Sequence, residues 1–114
     1  MIINNDELLS FAYKMLKAKN WEKSNLLQKT NEIGVTLLLM VFIANCEGSE
    51  INLKTLSQSV TFSQRSIAYT IKDLIGLGWI NLTKDTNDKR RQLIQITPTF
   101  LNIFAQFKAH LDLN

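Results

Sequence analysis

A change of hydrophobic period near Gly78 constrains this chain more than any other feature. Upstream, Ile67, Ile71, Leu74 and Ile75 fall at i, i+4, i+7 and i+8, the stripe of a helix that buries one side. Downstream the pattern becomes that of strands: Trp79-Ile80-Asn81-Leu82-Thr83 alternates in part, and Leu93-Ile94-Gln95-Ile96-Thr97 alternates more clearly. Gly78 suits the left-handed cap that ends such a helix. The stretch Lys84-Asp85-Thr86-Asn87-Asp88-Lys89-Arg90-Arg91 is rich in turn formers and predicts a hairpin with a charged tip.

The rest of the chain supplies helices around this unit. Leu8, Leu9, Ala12, Met15 and Leu16 predict a first amphipathic helix over 6–19, with Asn5 as its cap. Residues 21–28 read as a connection. A second helix, capped by Thr30 and ending near Asn45, contains the run 35–44, whose only polar member is Thr36. A helix apolar nearly all round must be enclosed by others, so it is expected to be the post of the core. Ile51 is expected to give a very short strand, Asn52 to cap a third helix to about Val60, and Ser63 to cap the fourth. Pro98 can open a last helix carrying Leu101, Phe104, Ala105, Lys108 and Leu111.

Composition excludes several classes. The chain has 114 residues, room for one domain, and a hydrophobic fraction of 46%, enough apolar surface to offset the entropy of ordering. Run 35–44 is far shorter than the roughly 20 residues of a membrane span. Cys46 is the single cysteine and cannot form an internal disulfide, and the start MIINNDELL lacks the basic-then-apolar order of a signal peptide, so a cytoplasmic location is expected. Cys46 itself is expected to be a buried small hydrophobe. With one histidine, His110, expected to be solvated, no ligand set at metal spacing and no glycine-rich phosphate loop, neither an enzyme, a metal site nor a cofactor is expected.

Helix, helix, short strand, helix, helix, hairpin, helix is the order of a winged helix-turn-helix, a mainly α fold with a small β-hairpin (α+β). The segment LSQSVTFSQRSIAYTIKDLIGLGWI, residues 56–80, resembles the helix-turn-helix of the MarR family. Leu56 and Ser57 take its Leu-Ala slot, Ser63 its capping serine, Ser66-Ile67 its Thr-Val pair, Leu74 its core leucine, and Gly78-Trp79-Ile80 its turn into the wing. Asp85, Asp88, Arg90, Ile94, Ile96 and Thr97 fall at the spacing of the family's D-x-R-D-x-R followed by V-x-L-T. The small size and the KDTNDKRR wing also resemble the SarA-like branch. Three positions depart from the pattern: Asn87 and Tyr69 stand where arginines are common, and Phe100 stands where a glycine is usual. The resemblance implies one domain over 1–114, with the helix-turn-helix at about 53–77, the wing at about 79–97, and terminal helices at about 6–19 and 98–112 that form a homodimer. It also implies that Asp88 braces one wing arginine.

The residues make the same case independently. Burying the Ile67 stripe turns Gln64, Arg65, Ala68, Tyr69 and Lys72 outward, and Gln and Arg can hydrogen-bond adenine and guanine edges. Tyr69 could equally pack on the helix surface. Ser63 and Ser66 sit where a helix start can meet phosphates. Residues 61–91 carry six cations (Arg65, Lys72, Lys84, Lys89, Arg90, Arg91) against Asp73, Asp85 and Asp88, an excess equal to the formal +3 of the whole chain. Alone, the Lys89-Arg90-Arg91 run reads as a solvated loop; behind a helix-turn-helix it reads as a wing that reaches phosphates or a narrow minor groove. The expected DNA-binding set is therefore Ser63, Gln64, Arg65, Ser66, Tyr69, Thr70, Lys72, Lys84, Lys89, Arg90 and Arg91.

The expected function is sequence-specific binding of double-stranded DNA by a homodimeric transcriptional regulator, with Leu8, Phe11, Met15, Trp21, Phe100, Phe104, Phe107 and Leu111 as candidate dimer surface. A plasmid partition or replication adaptor, or a winged helix used only for protein interaction, are the competing readings. Nothing in the sequence singles out a pocket for a small-molecule effector, and no membrane partner is expected.

Overall fold

In the computed structural model, residues 2–88 and 90–112 are described. Helix α2 (Glu32–Cys46) is the axis of the core, with Leu37, Leu38 and Val41 wholly inaccessible. Its cap is Asn31, one residue later than expected, whose side chain accepts from the Gly34 amide at 2.9 Å. Enclosure is incomplete: Leu39 and Ile43 lie on an uncovered side. Cys46 is exposed, contrary to expectation. It stands five residues beyond Val41, and about 100° of turn per residue carries it off the buried face.

Helices α3 (Leu53–Ser59) and α4 (Gln64–Gly76) form the helix-turn-helix. A reciprocal capping box fixes the start of α3: the Thr55 amide donates to Asn52 Oδ1 and the Asn52 amide to Thr55 Oγ1, both at 2.9 Å. Ser63 caps α4 as expected. Leu56, Ile67, Ile71 and Leu74 join the same buried cluster as Leu37, Leu38 and Val41 of α2, yet Ile75 is 39% exposed while Thr70 is buried. On a helical wheel Thr70 and Ile75 flank the Ile67-Ile71-Leu74 centre from opposite sides, and α4 is rolled toward the threonine. The helix closes in a Schellman motif: Gly78, at φ +76°, donates to the Ile75 carbonyl, and Trp79 donates to that of Leu74.

The wing follows at once. Strands β1 (Ile80–Lys84) and β2 (Gln92–Ile96) pair antiparallel with Ile80 opposite Ile96 and Leu82 opposite Ile94. Ile80 and Ile94 are buried beneath the sheet. The short strand expected at Ile51 reduces to one bond, Ile94 N–H to the Ile51 carbonyl at 2.8 Å. Asn45 continues that edge: its carboxamide donates to the Ile94 carbonyl at 3.2 Å and accepts from the Ile96 amide at 2.8 Å. The end of α2 and the wing are thereby joined by a side chain imitating a strand.

Helix α5 (Pro98–Asp112) starts at the proline, with the Thr97 hydroxyl accepting from the Phe100 amide. Helix α1 spans Asn5–Asn25, capped by Asn4, and so runs through much of the expected connection. Trp21 explains the extension, since its ring stacks on Phe107 of α5 at 4.3 Å between centroids and anchors the final turn. Of the eight candidate dimer residues, Phe100 belongs to this chain's own core beside Trp79, Phe104 packs edge-on to Phe42, and Trp21 and Phe107 pair with each other. Leu8, Phe11 and Met15 remain exposed, and Leu111 is half-buried. Helix α1 has no buried residue at all. His110, expected in solvent, is half-buried on α5.

Candidate nucleic-acid interface

The α4 start is organised by two serines. Ser63 Oγ accepts the Ser66 amide at 3.1 Å and donates to Ser66 Oγ at 2.9 Å. Ser63 is thus committed to the cap, whereas half-buried Ser66 presents a hydroxyl at the helix edge. Arg65, Ala68, Tyr69 and Lys72, on the sides of α4 turned from the core, and Gln64 in its first turn are all exposed, Tyr69 to 67%. Tyr69 therefore lies open to solvent instead of packing flat. Arg65, Ser66 and Tyr69, with Thr70 at its floor, border a hollow of about 270 Å³ whose far wall is Asn31 and Ile33 at the start of α2. Thr70, expected to contact DNA, does not belong to this face: at 2% exposure it is part of the α2–α4 packing, because the roll of α4 turns it inward.

Among the described residues Arg65, Lys72 and Lys84 form no ion pair. Their hydrogen-bond donors are therefore available to an anion or a base edge.

The wing loop is more constrained than its composition suggests. Asp85 is 4% exposed and receives the Asn87 amide at 2.9 Å, while its own N–H donates to the Arg91 carbonyl at 3.0 Å. Asp88 accepts from the Arg90 amide at 3.0 Å and meets Arg90 Nε at 3.3 Å, the bracing that the resemblance implies. Arg90 nevertheless has a side chain 92% exposed. Arg91 lies between Asp85 at 3.8 Å and Glu50 at 3.7 Å. Lys89 lies outside the described residues. A cleft of about 690 Å³ separates the wing from α3, with Lys54 and Gln58 on one wall and Arg90 and Arg91 on the other.

Sequence reasoning missed Asn45, Glu50, Lys54 and Gln58. Asn45 meets partners 49 and 51 residues away, and no local pattern announces contacts at that separation. Glu50 lies in a short polar stretch after the second helix that carries no mark of a partner, while Lys54 and Gln58 showed the ordinary polarity of a helix surface. No group of three or more His, Cys, Asp or Glu among the described residues could hold a metal ion, and no helix is long and apolar enough to cross a membrane.

Two short helices meeting at a tight turn, the second offering a cationic outer face and running straight into a hairpin, define a winged helix-turn-helix. The chain belongs to the winged helix DNA-binding domain family, whose profile matches residues 34–99. Its fold is that of MarR-type regulators. The apo MarR structure from E. coli superposes with a TM-score of 0.66 at 16% identity, covering 99% of this chain and 80% of that one. A MarR variant from E. coli complexed with operator DNA gives 0.66 at 15% identity, over 95% of this chain and 72% of that one. The adhesin competence repressor AdcR from Streptococcus pyogenes gives 0.59 at 19%, over 97% and 75%. No curated protein matches the chain.

Proposed function

We propose that this chain is a MarR-like transcriptional regulator that binds a specific double-stranded DNA site as a homodimer, through one domain whose helix-turn-helix lies at about 53–77 and whose wing lies at about 79–97. The observation that carries the reading is Arg65: exposed, without an ion-pair partner among the described residues, and near the start of a helix whose opposite stripe is locked into the core. A helix so held enters the major groove with its N-terminal side chains at the base edges. Gln64 and Arg65 read bases, Tyr69 meets the groove wall, and Ser66, Lys72 and Lys84 meet phosphates. Ser63 fixes the helix start from which they project. Arg90 reaches beyond the wing to phosphate or minor groove. The activity is binding and involves no catalysis, metal or cofactor.

A second copy accounts for α1. Its exposed Leu8, Leu9, Phe11, Met15 and Leu16 form more apolar surface than a helix facing water on every side retains without a partner. The solved complex of a MarR variant with operator DNA supports the DNA partner by likeness of fold.

Selection of bound duplexes from a random pool tests the proposal. The expected product is an inverted repeat whose half-sites lie about 10–10.5 base pairs apart, or a multiple of that spacing. Failure to enrich any sequence contradicts it.

A further inference from the structure

The two neighbouring arginines of the wing stand in different electrostatic settings. Arg90 is braced by one adjacent carboxylate, with its side chain 92% exposed. Arg91 is 44% exposed and lies between two carboxylates from different elements, Asp85 at the base of the wing loop and Glu50 in the α2–α3 connection. Asp85 is almost wholly buried, so withdrawing the guanidinium would leave a buried carboxylate without its counter-charge. The backbone beside Glu50 is anchored, since the carbonyl of the next residue, Ile51, accepts the Ile94 amide at 2.8 Å, while the Glu50 side chain itself is 54% exposed. The loop that leads into the helix-turn-helix and the strand that returns from the wing are thus bonded side by side, with Arg91 across their seam.

We infer that Arg91 is a positioning residue, an ionic strut between Glu50 and Asp85 that sets the angle of the wing relative to the helix-turn-helix, and that it does not contact DNA. This inference rests on the DNA-binding reading above and deepens it by dividing the wing cations: Arg90 meets the duplex, and Arg91 aims the hairpin that carries it. It also assigns a role in DNA affinity to an acid, Glu50, which simple charge complementarity would count against binding.

The sign of the Glu50 effect makes the inference testable. Duplex affinity is measured over a series of salt concentrations for wild type, Glu50→Gln, Arg91→Ala, Arg90→Ala and the Glu50→Gln/Arg91→Ala pair, with denaturation midpoints confirming that each is folded. Removing an acid near a polyanion should tighten binding if only net charge matters; the strut predicts that Glu50→Gln weakens it about two- to fivefold. Arg91→Ala is expected to weaken binding while leaving the salt slope of wild type, whereas Arg90→Ala lowers that slope by about one phosphate contact. In the double variant, Glu50→Gln should add nothing to Arg91→Ala, as expected when two residues act through one interaction. A slope lowered by Arg91→Ala, or unchanged or tighter binding by Glu50→Gln, overturns the inference alone. A wild-type chain without duplex affinity even at low salt overturns it together with the reading it rests on.

Discussion

The Thr97 hydroxyl donates to the Gly78 carbonyl at 2.6 Å, fastening the first residue after the wing to the last turn before it. The same oxygen accepts the Phe100 amide at 3.3 Å, and the Thr97 amide donates to the Trp79 carbonyl at 3.1 Å. One residue therefore closes the hairpin and caps α5. Thr97→Val keeps the shape and removes the hydroxyl, and should cost about 1–2 kcal/mol. Urea denaturation would measure it; an unchanged midpoint would show that water replaces the clasp.

Asn45 links the last turn of α2 to β2 through both ends of its carboxamide. Because the residue is exposed, water can take over the freed groups of Asn45→Ala, so the stability cost should be about 1 kcal/mol. Duplex affinity should fall more than that figure accounts for, since the wing loses an anchor. Parallel denaturation and DNA titration would check this, and equal losses in both would remove any role in wing placement.

The roll of α4 predicts an asymmetry that the hydrophobic pattern alone reverses. Thr70→Lys forces an ammonium into the α2–α4 contact and should cost about 3 kcal/mol or more, whereas Ile75→Lys at a 39% exposed site should change stability by under about 1 kcal/mol. Thermal melts of the two variants would decide between the observed facing and the one the stripe suggests.

Much of the architecture was legible because it rests on local rules. The Asn52 and Ser63 caps, the stripe through Leu74, the turn at Gly78 and the register-setting alternation of β2 all involve residues within a few positions of one another. What escaped depends on distant partners: Trp21 draws α1 onward by stacking on Phe107, and Glu50 acquires a role only when the wing returns beside it. The outward face of α4 was readable for the same reason as the stripe, with Thr70 lost at its margin. A wheel places residues to within one arc, and the packing partner chooses which margin to cover.

The exposed side of α1 predicts that Leu8→Glu combined with Phe11→Glu leaves the fold intact, since neither residue touches the core. Light scattering should then give a monomer where wild type gives a dimer, with unchanged helical circular dichroism. A dimer in both would place the interface elsewhere.

Arg65 decides the matter most directly. The measurement is the ratio of affinities for a selected duplex and a scrambled one at fixed salt, for wild type and for Arg65→Ala. Loss of a bidentate base contact worth about 1–3 kcal/mol should lower that ratio roughly tenfold, with affinity for the scrambled duplex changing far less. An Arg65→Ala variant that discriminates between the two duplexes as well as wild type would contradict the assignment of α4 as the reading helix.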